Sequence, residues 1–117
     1  MKKQKKLIVG NWKMFPETPE EAKKIVNEVK RGTTKIRKTN VVICPSFIHT
    51  SLFLDKLKSP IYLGAQNTNK DDKGSLTGEV SVSQLAHLGV KYVIVGHSER
   101  RKMGETDEME TIKLSQF

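Results

Sequence analysis

The sequence predicts an α/β fold built on a parallel sheet, and three observations carry that prediction. Apolar runs start near residues 7, 41, 61 and 91, continuous rather than alternating, as in strands covered on both faces. Capped or amphipathic helical segments separate them. Two runs end in glycine followed at once by polar groups: Gly10-Asn11-Trp12-Lys13-Met14 and Gly96-His97-Ser98-Glu99-Arg100-Arg101. Alternating strands and helices imply right-handed βαβ units. Such folds place their chemistry at the carboxyl ends of the strands.

The first strand is expected over Leu7 to Val9. Thr18-Pro19-Glu20-Glu21 then reads as an N-cap, a proline at the first helical position and a capping-box glutamate. Ala22, Ile25, Val26 and Val29 form one helical stripe, with Gly32 as its stop. Val41 to Cys44 is the second strand. Ser46 is expected to cap a helix carrying Ile48, Leu52, Phe53 and Leu57, ended by Ser59-Pro60. Ile61 to Ala65 is the third strand. The polar stretch from Gln66 to Glu79 is long enough to suggest a functional loop. Ser81-Val82-Ser83-Gln84 is a second capping box, opening a short helix through Leu85 and Leu88 to Gly89. Lys91 to Val95 is the fourth strand, and a last helix runs from about Thr106 to the end.

The 117 residues make one domain, with 36% hydrophobic and 29% charged residues. The formal net charge of +8 raises the question of nucleic acid. The lysines are scattered over helical patterns, however, aromatics are few, and no nucleic-acid motif is present. Solvated helix faces and a loose basic tail account for the charge, so no nucleic-acid partner is expected. The single Cys44 excludes an intramolecular disulfide and reads as a buried strand residue. Met1-Lys2-Lys3-Gln4-Lys5-Lys6 imitates the start of a signal peptide, but the apolar run after it ends at Gly10. No later stretch suits a membrane span. The expectation is a cytoplasmic chain with no membrane partner. His49 and His87 fall in helical patterns, and no cysteine–histidine spacing suggests a metal.

Four motifs together closely resemble the triosephosphate isomerase family. They are Gly10-Asn11-Trp12-Lys13-Met14, Gly64-Ala65-Gln66-Asn67, Leu76-Thr77-Gly78-Glu79-Val80-Ser81, and Gly96-His97-Ser98-Glu99-Arg100-Arg101 with Gly104-Glu105-Thr106-Asp107-Glu108 after it. They occur in the family's order and cover almost the whole chain. The resemblance implies an α/β fold, the (βα)4 half of a TIM barrel, and cofactor-free interconversion of dihydroxyacetone phosphate and D-glyceraldehyde 3-phosphate in glycolysis and gluconeogenesis. Asn11 and Lys13 match the substrate-binding pair. Lys13, His97 and Glu99 match catalytic positions: a cation for the substrate phosphate and developing enediolate, the neutral imidazole of the family's well-known mechanism, and the carboxylate that partners the lysine. Thr77 matches the residue that plugs into a neighbouring subunit, and Glu79, Gln66 and Met14 accompany it in the oligomer interface. No metal is implied.

The resemblance stops after the fourth βα unit, whereas the family's barrel has eight strands and about 250 residues. The glutamate general base after strand six has no counterpart here, nor have the closing loop and the later phosphate-binding loops. The isolated chain is therefore expected to show little or no activity. Open first and fourth strands would template pairing with another chain. The expected partners are another copy, as a homodimer or higher homo-oligomer completing the barrel, or a C-terminal half. A triose phosphate or other phosphate anion is the expected ligand; in a two-fold pair, strands three and four of the second copy stand in for strands seven and eight, with the Lys70, Lys73 and Gly74 region and the N–H groups after Gly96 as holders.

Overall fold

A computed structural model describes residues 4–116; the start of the basic tail, residues 1–3, and Phe117 lie outside the described residues. Four strands, β1 (Lys6–Asn11), β2 (Thr39–Cys44), β3 (Ile61–Ala65) and β4 (Tyr92–Val93), form a sheet in chain order. Every neighbouring pair is parallel, with Ile8 beside Val41, Val42 beside Tyr62 and Gly64 beside Tyr92. The sheet curls into a half-barrel, as expected.

Helix α1 (Pro19–Gly32) starts as its sequence dictates. The Thr18 hydroxyl accepts a hydrogen bond from the Glu21 N–H at 3.2 Å, Glu20 and Glu21 sit in the first turn, and Lys30 and Arg31 in the last. It buries Ala22 and Val26. Gly32 is its last residue rather than its stop; Thr33 closes it, donating from its hydroxyl to the Val29 carbonyl at 2.8 Å. Helix α3 (Val82–His87) carries the full capping box, with Ser81 N–H donating to Gln84 at 2.9 Å and Gln84 N–H to Ser81 at 3.1 Å.

Two elements are shorter than expected. After β2 comes only a four-residue helix, α2 (Phe47–Thr50), and a 3-10 turn over Ser51–Phe53. The Ser46 side chain caps nothing; its carbonyl accepts from His49 N–H at 2.9 Å, a tight turn that does not propagate. Asp55 then adopts a left-handed φ of 59°, so Leu52 and Phe53 reach the core from the 3-10 turn and Leu57 from irregular backbone beyond it, while Ile48 points to solvent. Strand β4 covers two residues, though Lys91 and Ile94 N–H groups still donate to Leu63 and Ala65. Beyond them Gly96, at φ 75°, turns the chain away. The terminal region divides into α4 (Ser98–Lys102) and α5 (Asp107–Ser115); the latter begins where the last helix is expected, with Thr106 as its cap.

The core lies between sheet and helices, with Ala22, Val26, Ile43, Phe53, Leu63 and Leu85 at its centre and Trp12 packed edge-on against Phe53. On the other face, Tyr62 and Tyr92 meet edge to face at 6.0 Å. Gly64 belongs to this face, and any Cβ there would lie 2.6 Å from Cys44 Sγ and 2.7 Å from Val42 Cγ1. Burial pushes the Cys44 thiol up to about 11, so it stays neutral. His49 is also structural: its Nε2 donates to the Pro16 carbonyl at 2.9 Å.

Candidate active site

All four strands deliver their carboxyl ends to one side, where β1, β3 and the segment after β4 meet around a cleft of about 350 Å³. Asn11, Lys13, Gln66, Asn67, His97 and Glu99 line it. The two sequence motifs singled out by their glycine–polar junctions therefore share one site.

Lys13 is held in an unusual backbone state. Its φ of 58° is left-handed, a region that costs an L-residue about 1–2 kcal/mol. Two side chains hold it there. Asn11 Oδ1 accepts from the Lys13 N–H at 2.9 Å, and Gln66 Nε2 donates to the Lys13 carbonyl at 2.7 Å. Gln66 also donates to the Cys44 carbonyl at 2.9 Å, so one amide ties the end of β3 to the ends of β1 and β2.

The Lys13 ammonium reaches Glu99 Oε1 at 2.7 Å. This hydrogen bond, chiefly, with help from the nearby charges of Lys13 and Lys102, holds the Glu99 carboxyl below the usual carboxylate range. His97 precedes α4, and its Nδ1 accepts from the Glu99 N–H at 3.1 Å. An accepting Nδ1 assigns the neutral tautomer with the proton on Nε2. Glu99 Oε2, 3.6 Å from the same nitrogen, is then a second acceptor facing an acceptor and makes no ion pair with it. The site thus presents an ammonium and an imidazole N–H, two donors suited to a carbonyl oxygen that becomes negative.

Beneath the cleft lies a buried ion pair. Lys113 of α5 is 2% exposed and donates from Nζ to Asn67 Oδ1 at 2.9 Å and to Glu105 Oε1. The other Glu105 oxygen is buried without a hydrogen-bond partner. Arg101 joins α4 to α5, donating to Asp107 at 2.8 Å and Glu110 at 2.5 Å. These bonds, that to Asp107 foremost, raise the already high pKa of its guanidinium.

Of the four residues expected at an oligomer interface, three lie on the surface. Met14 is 88% exposed, and Thr77 and Glu79 are exposed on the long loop, Glu79 at the rim of the cleft. Gln66 is occupied within its own chain by the two bonds just described. Lys70 is paired with Asp71 at 3.3 Å and Lys73 is exposed beside it. Among the described residues, no three His, Cys, Asp or Glu side chains cluster as metal ligands, and no helix is long and apolar enough to cross a membrane.

Sequence reasoning missed three things: the Gln66 strut, the Asn67–Lys113 bond and the Arg101 bridge. A solvated-face account of the lysines fails at Lys113. Its signal was positional, since it lies four residues after the half-buried Met109 and one after the half-buried Ile112.

Comparison with known proteins fits this geometry. The family model described as triosephosphate isomerase matches residues 6–116. A triosephosphate isomerase of Clostridium botulinum (strain Loch Maree / Type A3) is 46% identical over 104 residues, covering 87% of this chain and 41% of that protein. That of Carboxydothermus hydrogenoformans is 45% identical over 112 residues, covering 94% and 44%. That of Trichodesmium erythraeum is 46% identical over 115 residues, covering 94% and 46%. The chain spans less than half the length of these curated relatives. With the family model matched along almost its whole length, the chain belongs to the triosephosphate isomerase family.

Proposed function

We propose that this chain supplies the electrophilic half of a triosephosphate isomerase site, acting on dihydroxyacetone phosphate and D-glyceraldehyde 3-phosphate. One observation carries the proposal: Lys13 and His97, the latter with its Nδ1 taken by the Glu99 N–H, line one cleft, brought there from opposite ends of the chain. Asn11 and Lys13 would hold the substrate, Lys13 would offset the charge of the phosphate and the enediolate, and His97 would polarise the carbonyl. No cofactor enters this chemistry.

The isomerisation also needs a carboxylate that removes a proton from carbon. Glu99 is engaged by Lys13, and its lowered pKa makes it a weak base. Glu79 lies at the exposed rim. The base in this proposal comes from a second polypeptide segment that completes the barrel. The open sheet supports this: β1 and β4 are its edges, and Leu7, Ile8 and Val9 of β1 are about half exposed. Another copy of the chain could cover them, as could a C-terminal half; sedimentation of the purified chain separates the two, a stable dimer favouring the copy.

The substrate claim is tested by titrating dihydroxyacetone phosphate while following the His97 ring signals by NMR. The proposal expects saturable shifts that Lys13→Met abolishes. Unchanged signals, or shifts indifferent to Lys13→Met, would refute it.

A further inference from the structure

A second concavity lies at the opposite end of the sheet, where the strands begin. It has a volume of about 620 Å³, within the range of small-ligand sites. Parallel strands bring their leading connections to one end, and three of these connections line the groove. Lys5 leads into β1, Lys30 and Arg37 lie on the path from α1 into β2, and Lys56 and Lys58 lead into β3. No acidic side chain lines it. The sequence itself has no Asp or Glu between Glu28 and Asp55.

These five cations carry no internal counter-charge. Among the described residues none of them is in an ion pair, whereas Lys13, Lys70, Arg101 and Lys113 all are. Arg37 is also oriented, its Nη1 donating to the carbonyls of Thr34 at 2.8 Å and Ile36 at 3.1 Å. Complementing a helix C-terminus explains Lys30 in the last turn of α1, but not the four cations on the connections. Like charges gathered in a concave wall focus their field on an anion placed between them.

We infer that this groove binds a compact polyanion, a small molecule carrying two or three linked phosphate groups. The lining argues against single-stranded nucleic acid, because no aromatic side chain is present to stack a base. Its apolar lining, Ile36, Pro60 and Ile61, is small and aliphatic. The inference is independent of the isomerase site, which shares no residue with the groove.

The test is calorimetric titration of inorganic tripolyphosphate into the intact chain at low salt. Binding is expected, weakening as salt rises. It should fall at least tenfold in Lys56→Ala/Lys58→Ala and stay unchanged in Lys24→Ala, an exposed lysine outside the groove. Tripolyphosphate should also shield Lys56 and Lys58 of the unmodified chain from acylation, a readout that needs no variant. Absence of binding, loss of binding in Lys24→Ala alone, or unshielded Lys56 and Lys58 would overturn the inference. Tighter binding of a short oligothymidylate than of tripolyphosphate would overturn it in favour of nucleic acid.

Discussion

The Lys13 ammonium lies 2.7 Å from the Glu99 carboxylate, joining the end of the first strand to the helix that follows the fourth. The same pair decides which groups of the cleft are free to act. Glu99 is committed to the lysine, and its backbone N–H to His97 Nδ1, so the imidazole keeps its proton on Nε2. One residue thus sets the state of two others.

The pair has a defined pH signature. A free glutamate titrates near 4.3, and the Lys13 hydrogen bond lowers Glu99 below the usual range. A carboxyl with a depressed folded pKa contributes stability that is present above the unfolded pKa and lost as pH falls through the folded one. The contribution should therefore be constant at neutral pH and vanish in acid. In Lys13→Met, NMR titration of the Glu99 carboxyl should show its midpoint rising toward about 4.3.

Lys113 gives a stability prediction. Lys113→Met leaves the Glu105 carboxylate buried beside Asn67 without its cation, and breaking such a pair typically costs about 3–5 kcal/mol. Lys113→Met/Glu105→Gln removes both charges and should recover much of that loss. Urea unfolding midpoints of the two variants check the order.

Gly64 is a packing prediction. A methyl at this position enters the space of Cys44 Sγ and Val42 Cγ1, neither of which is the end of a long flexible chain. Gly64→Ala should destabilise by about 1–3 kcal/mol, the usual range for overpacking. Gly32→Ala is the control, because nothing lies within 4 Å of a Cβ there.

Much of the fold was legible because its signals are local. Thr18 and Ser81 cap the helices that their neighbours announced, and the strands begin within a few residues of where the apolar runs begin. The helix after β2 was misjudged because Leu52, Phe53 and Leu57 are apolar for tertiary reasons; Asp55 in a left-handed conformation breaks the period that a helix would need. The motif residues Asn11, Lys13, His97 and Glu99 were visible as polar groups after strands, and the structure gathers them. What holds them was not visible. The Gln66 amide bonds to backbone carbonyls, which leave no trace in side-chain identity, and Lys113 looks like any surface lysine until Glu105 and Asn67 are placed around it.

The central claim is that this chain carries the electrophiles of an isomerase site and takes its base from elsewhere. The most direct measurement is turnover of D-glyceraldehyde 3-phosphate by the purified chain, alone and mixed with a polypeptide spanning the remaining part of the Carboxydothermus hydrogenoformans relative. Loss of a general base costs about 10²–10⁴-fold, so the chain alone should fall at least that far below the intact relative, and the mixture should recover activity that Lys13→Met abolishes. Turnover by the chain alone at the rate of the intact relative, eliminated by Glu99→Gln, would contradict the account and place the base within these residues.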